Sequence, residues 1–370
     1  KVQSALLKGH YVIIFRYLAK EVFITLISLT SILVLIFLSN QLIQYLNRAA
    51  SGNIPGMIIM KLMMLELPTL LSLLIPLGLY VAMLLAYGRL YAESEMTVLS
   101  ACGYSSQQLL RHSMYMGAVV SFIVAVIMIW ATPHIYVERA KLLRTTGIQT
   151  LVQTIMPGRF HAINDGLEVF YVQSMSRDHT RAEQVFLAKR TRDTAEIHWD
   201  VIWANKAFAE TDKKNHEDYI ILEEGKEYRG VPGKADYQIA EFGQYKTRLP
   251  HPVVKINDDV RTFPTASLWP INNKDLRKAA ELQWRLSVPI MVLVLTLIAV
   301  PLSRINPRSG KYAQLFPAII IYIIYANLMF IGRNAIVSGT IPTWLGLWWI
   351  HIVFALLGLG LIRRNQVKLS

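Results

Sequence analysis

The chain has 370 residues, 53% of them hydrophobic, with a mean hydropathy of +0.35 and a formal net charge of +13. That composition excludes an ordinary soluble globule and reads as a polytopic membrane protein. The single cysteine, Cys102, excludes a disulfide-stapled exported domain, so any such domain must be held by its own core.

Six stretches lack Lys, Arg, Asp and Glu altogether: Glu21 to Arg48, Glu66 to Arg89, Arg111 to Glu138, Arg285 to Arg304, Lys311 to Arg333 and Arg333 to Arg363. A bilayer core takes roughly 20 apolar residues per helix, and the fourth stretch is the shortest that suffices. The first helix is expected over about Ile13–Leu46, with a polar far end (Asn40, Gln41, Gln44, Asn47, Arg48), and it is too long for a cleavable signal peptide. Ser51 to Gly56 reads as a turn. The second helix, about Met57–Tyr87, carries Lys61 and Glu66 near its start and should kink at Pro68 and Pro76. A third, about His112–Thr132, is expected to stop at Pro133.

The next stretch has no helical period. Leu167–Met175, Gln184–Lys189, Ile197–Glu210, Tyr219–Glu224 and Tyr237–Tyr245 alternate or are rich in β-branched and aromatic residues. Turn residues such as Asn164-Asp165-Gly166 and Gly230-Val231-Pro232-Gly233 separate them, which predicts an all-β, jelly-roll-like insert. Pro250–Pro270 reads as an extended return, and Asn272–Trp284 as a charged helical lead into a fourth span, about Arg285–Leu302. Helices five and six are expected over about Tyr312–Gly332 and Pro342–Ile362, with Trp344, Trp348 and Trp349 as an interfacial belt. The fold class is therefore a membrane α-helical protein with six transmembrane helices, three plus three, around the β insert. The domains are residues 1–133, 134–278 and 279–370.

The positive charge is a matter of topology. Residues 134–278 hold 22 basic and 20 acidic side chains, so the excess lies in the membrane halves. There Lys1, Lys8, Arg16, Lys20, Arg89, Arg111, Arg304, Arg308, Lys311, Arg363, Arg364 and Lys368 flank one side of the spans. Only Arg48 and Arg333 sit in the opposite short loops. The positive-inside rule then puts both termini in the cytoplasm and the insert outside, with no nucleic-acid footprint.

Catalytic patterns are missing: there is no GxxxxGK[ST], HExxH, GxSxG or CxxC, and His161, His179, His198, His216 and His251 lack metal-ligand spacing. The spans offer only His351, with Lys61 and Glu66 near one end, which is poor material for a proton relay. Energy must then come from another chain. The loop of residues 88–103 is amphipathic at helical spacing (Leu90, Met96, Val98, Leu99), preceded by Gly88 and Arg89 and closed by Gly103. Glu93 and Glu95 sit early in it, at the positive end of a short helix. Two readings fit. It is an interfacial helix with a solvated acidic face, or a coupling helix whose acids dock on a cytoplasmic motor.

Ile75-Pro76-Leu77-Gly78, Tyr91-Ala92-Glu93-Ser94-Glu95 and Ala101-Cys102-Gly103-Tyr104-Ser105 form a specific set with Val300-Pro301-Leu302-Ser303 and Asn306-Pro307-Arg308-Ser309-Gly310. Together they resemble the lipopolysaccharide-export ABC permeases, the LptF/LptG family, with F-type wording. The resemblance covers nearly the whole chain and implies a half-transporter in the bacterial inner membrane, with a periplasmic β-jelly-roll and no cofactor of its own. Its implied partners are a G-type permease paralogue (LptG), a dimer of a cytoplasmic ATPase that binds the ATP (LptB), a single-helix regulator (LptC), a periplasmic bridge protein (LptA) and lipopolysaccharide itself. The family's coupling glutamate matches Glu95, with Glu93 beside it and Arg89, Leu99 and Gly103 framing the helix. Its basic residue at the outer end of helix five matches Arg333.

Lipid A phosphates favour Arg or Lys at the membrane surface, and Arg333, Lys61 and Arg48 are expected there; ordinary snorkelling is the alternative for each. Acyl chains crossing water need apolar shelter, expected from Phe170, Val172 and Phe186, or else these form a packed core. Which strand parity faces inward is left open. A rival of another class is a force-relaying membrane scaffold that moves no lipid.

Overall fold

The computed structural model describes residues 2–50, 54, 56–145, 157–163, 167–176, 181–192, 197–212, 217–234, 237–248, 259–269, 275–304 and 314–367. The turns expected at residues 51–53 and 164–166, residues 250–258 and 270 of the expected return, and the family-like segment at residues 306–310 lie outside them. The chain forms two compact units. One comprises Lys1–Ser39, Met64–Val137 and Asp259–Ser370, and the other Asn40–Met63 and Glu138–Asp258.

The helices are α1 (Val2–Ala50), α2 (Ile59–Ala92), α3 (Glu95–Ala101), α4 (Ser106–Val126), α5 (Thr132–Thr145), α6 (Leu276–Leu302), α7 (Leu315–Val337) and α8 (Trp348–Val367). Among the described residues, five segments are long and apolar enough to cross a membrane: Val12–Ala50, Gly56–Ala92, Ser106–Leu143, Leu276–Leu302 and Leu315–Val337. The sixth expected span, α8, starts later than Pro342. Pro342–Leu347 instead forms turns, with Gly346 at φ 42° and the Leu347 N–H donating to Gln283 Oε1 at 3.0 Å. Its apolar part therefore runs from Trp348 to Ile362, roughly 22 Å at about 1.5 Å per residue, against a bilayer core of about 30 Å.

Beyond Arg285, α6 is almost wholly apolar, and it is the most enclosed span, with Val288, Val292, Leu295, Ile298 and Ala299 all buried. Glycine lets a neighbour approach it: a Cβ on Gly117 of α4 would lie 2.7 Å from Thr296 Oγ1. α1 joins this core through Leu18, Val22 and Leu26, spaced four apart on one face.

Pro133 does not end its helix. The chain passes through a π-turn at Ile127–Ala131 into α5 and continues to Thr145. Proline lacks the N–H that would bond the Ile129 carbonyl, and Thr265 Oγ1 donates to that carbonyl instead, at 2.7 Å. A partner distant in sequence thus supplies what the proline removed.

In the second unit, β1 (Phe160–Ile163), β2 (Glu168–Met175), β3 (Arg181–Arg192), β4 (Ile197–Asp212), β5 (Glu217–Gly230) and β6 (Gln238–Arg248) make one antiparallel sheet in chain order. Five match the expected strands, and β1 is additional. One residue in each of five strands stands outside the ladder: Gln173, Gln184, Asn205, Glu224 and Gly243. Gln184 and Glu224 have φ of 49° and 53°. This row shifts strand parity by one. Inward residues are Val172 and then Met175 on β2, Val185 and Ala182 on β3, and Ala204 and Ala207 on β4, all within one core. A separate cluster in this unit joins Tyr45 of α1 to Ile54, Ile59 and Leu62, with Leu142 and Leu143 packed against it.

Candidate functional site

The segment around Glu95 is fixed by backbone geometry. α2 runs through Gly88, which is buried, so the break does not fall there. Leu90 is fully buried and Arg89 is paired, which carries the helix to Ala92. The turn comes at Ser94, a non-glycine residue with φ 61°. α3 then closes in a Schellman motif: the Tyr104 N–H donates to Leu99 O and the Gly103 N–H to Ser100 O, both at 3.0 Å, with Gly103 at φ 90°. A capping box between Ser105 and Gln108 opens α4 immediately afterwards. Met96 and Tyr104 anchor the helix in the core, the latter with its hydroxyl bonded to His112 Nδ1 at 2.7 Å. Burial and the nearby phenol of Tyr87 push the Tyr104 hydroxyl above the ordinary tyrosine range.

The face left to solvent carries Glu93, Thr97, Val98, Ser100 and Gly103, with Val98 62% exposed. Leu99 packs partly inward. Glu95 is half-buried and accepts a hydrogen bond from Tyr17 Oη at 2.8 Å, while Arg89 pairs with Glu21 at 2.6 Å. Arg304 bonds the Ser106 hydroxyl at the same end of the bundle.

At the other end of α6, three alternate positions, Glu281, Gln283 and Arg285, act as a polar hub. The Arg285 side chain is 0% exposed; its Nε donates to Glu281 Oε1 at 2.9 Å, and its other nitrogens to Phe263 O, Thr265 Oγ1 and Arg261 O. Glu281 Oε2 accepts from Arg333 at 2.7 Å, and the Arg333 guanidinium lies 5.1 Å from the Trp284 ring centroid. Gln283 donates to Thr343 O at 2.6 Å. The hub thus ties α6 to residues 261–265, to α7 and to the turns before α8. Two guanidiniums share one carboxylate, so one positive charge is left over, on the partly exposed Arg333. In the same segment, Asp259 raises Arg261 further above the ordinary guanidinium range. Lys61 and Arg48 are exposed residues of the second unit, at the start of α2 and the end of α1.

Of the three residues expected to shelter acyl chains, Phe170 and Val172 share the core face, at 7% and 0% exposure. Phe186 does not. Its register partners are Tyr171 and Trp203, and with Phe160 it forms an aromatic group on the opposite face. The reason is period two: Phe186 neighbours the inward Val185.

A family model described as "Lipopolysaccharide export system permease LptF/LptG" matches residues 16–364. The chain belongs to this family. Lipopolysaccharide export system permease protein LptF of Escherichia coli (strain K12) is 27% identical over 366 residues, 97% of this chain and 98% of that protein. The LptF protein of Shigella flexneri matches to the same extent. Within an LptF/LptG permease, three contact residues escaped sequence reasoning: Tyr17, Glu21 and Glu281. For Glu281 a signal existed, since Glu281, Gln283 and Arg285 crowd polarity into the first turns of an apolar helix. For Tyr17 and Glu21 only their four-residue spacing hinted at a shared face.

Proposed function

We propose that this chain is the permease half of an ABC transporter that extracts lipopolysaccharide from the outer leaflet of the inner membrane and passes it to its β insert. A separate cytoplasmic ATPase dimer drives it, and a G-type paralogue completes the membrane pore. A single-helix regulator and a periplasmic bridge protein are the further partners. Both termini lie in the cytoplasm and the insert in the periplasm; the basic residues Arg89, Arg304, Arg363 and Arg364 at one end of the helices support that orientation. The observation that carries the reading is α3. It is a short helix that begins at the Ser94 turn and closes in a Schellman motif, anchored by Met96, and offering Val98 to solvent beside the exposed Glu93. Such an element moves as a unit when a motor pushes on it.

At the other end, Arg333 offers a stacked guanidinium with one unbalanced charge, suited to a lipid phosphate. In the second unit, Lys61 and Arg48 are exposed cations available for such a phosphate on their own account.

Replacing Glu95 with Arg tests the coupling. ATP-driven lipid release should stop while the helical bundle stays folded, and normal export by that variant would refute the docking role. The burial of Phe170 and Val172 favours a second reading, a relay that moves no lipid, because acyl chains reach them only if the sheet opens. Photocrosslinkers at Phe170 and Arg333 separate the two. ATP-dependent lipopolysaccharide adducts support transport, and their absence at both positions supports the relay.

A further inference from the structure

α1 touches the α3 region twice with polar groups. Tyr17 and Glu21 lie one turn apart on α1, and they hold Glu95 (2.8 Å) and Arg89 (2.6 Å), one on each side of the break at Ser94. Just behind them on α1, Leu18 and Val22 are fully buried in the core, so this end of α1 is seated and not merely adjacent. From His10 to Ala50 the helix has neither glycine nor proline to absorb a bend. The hydroxyl of Tyr17 also fixes which oxygen of Glu95 is occupied: Oε2 takes the hydrogen bond, and Oε1 is left for another donor.

We infer that Tyr17 and Glu21 are positioning residues for the coupling element: they orient the Glu95 carboxylate for docking and carry the displacement of α3 into α1. The inference rests on the reading of α3 as the motor contact. α1 and α3 then move together during the transport cycle, and the break at Ser94 stays clamped from both sides. Each contact is solvent-accessible, Glu21 and Arg89 being 27% and 40% exposed, so each acts as a modest bias on geometry.

The test uses the whole transporter in nanodiscs, with lipopolysaccharide released per ATP hydrolysed as the readout. A general packing defect lowers assembly or turnover but leaves that ratio alone. Tyr17→Phe, which removes one oxygen, and Glu21→Gln should each lower the ratio about 2- to 5-fold, the factor worth one exposed polar contact. The exchange Glu21→Arg with Arg89→Glu should restore it to within about twofold of the parent. An unchanged ratio in both single variants overturns the inference, as does an exchange that rescues nothing. A second measurement does not depend on these variants folding well. In a Cys102→Ser background, Glu21→Cys and Arg89→Cys joined by a short crosslinker should leave export running, whereas export that stops on crosslinking and returns on cleavage overturns the inference. Glu95→Arg, run in parallel, keeps the two readings apart. Silent clamp variants beside a dead Glu95→Arg refute the clamp alone, and a normal Glu95→Arg refutes the motor contact beneath it.

Discussion

Removing the carboxylate of Glu281 is the sharpest perturbation available in the helical unit. Glu281→Ala takes away the only anion bonded to Arg285 among the described residues, and the Arg285 side chain is 0% exposed. Arg285 keeps three neutral acceptors, Phe263 O, Thr265 Oγ1 and Arg261 O, so it remains hydrogen-bonded but uncompensated. Breaking one partner from a buried pair costs about 3–5 kcal/mol, and those acceptors favour the lower end. The second bond lost, to Arg333, adds at most about 1 kcal/mol, because that guanidinium is part exposed and rehydrates. Glu281→Gln retains an acceptor for Arg285 and should cost about half as much. In the double variant Glu281→Leu with Arg285→Met the charge problem disappears while the carbonyls of residues 261 and 263 lose their donor. The cycle should therefore show a coupling of about 2–3 kcal/mol. Unfolding in mixed micelles titrated with denaturing detergent supplies the four free energies. A loss below about 1 kcal/mol for Glu281→Ala, or additivity in the cycle, would refute the assignment of Glu281 as the counter-ion of a buried arginine.

Three further outcomes concern the β insert. Val172→Asp places a charge in a fully buried site and should unfold the sheet, by more than about 4 kcal/mol, whereas Tyr171→Asp one residue away on the half-buried face should cost about 1 kcal/mol; urea-dependent proteolysis of the intact chain separates them. Gly225→Val should cost at least about 3 kcal/mol, because a Cβ there would sit 2.4 Å from the Trp203 carbonyl and 2.5 Å from the Phe242 ring. Gly243→Ala, with open space around it, should stay within about 0.5 kcal/mol by the same assay. Lys226, bonded to Glu241 at 2.5 Å, holds that carboxyl below the usual range, first by the hydrogen bond and then by its charge. The stabilisation is present above the unfolded carboxylate's value and lost as pH falls through the lowered one. Carbon-13 titration of Glu241 should move up to the ordinary value in Lys226→Met, and a titration that does not move would refute the pairing.

The sequence by itself determined where the chain is apolar for long enough to span and where it alternates, because length and period are local properties that need no partner. It therefore located the spans and five of the six described strands, and the acidic turn between α2 and α4. Three features were decided only by tertiary structure. Pro133 reads as a stop until Thr265, far along the chain, supplies the missing donor to Ile129 O. Strand parity along a whole strand is undecidable while a regular period of two is assumed, because the row through Gln184 and Glu224 breaks that period by one residue; Phe186 faces away from Phe170 and Val172 because it neighbours the inward Val185. Arg333 stands alone in the sequence, yet α6 gives it Glu281 as counter-ion and Trp284 as a stacking face, and leaves it one unshared charge. In the same way the sequence shows no hydrogen-bond donor for Glu95, and only the packing of Leu18 and Val22 brings Tyr17 within reach of it. Burial partners and counter-ions come from contacts across tens to hundreds of residues, and no local pattern encodes those.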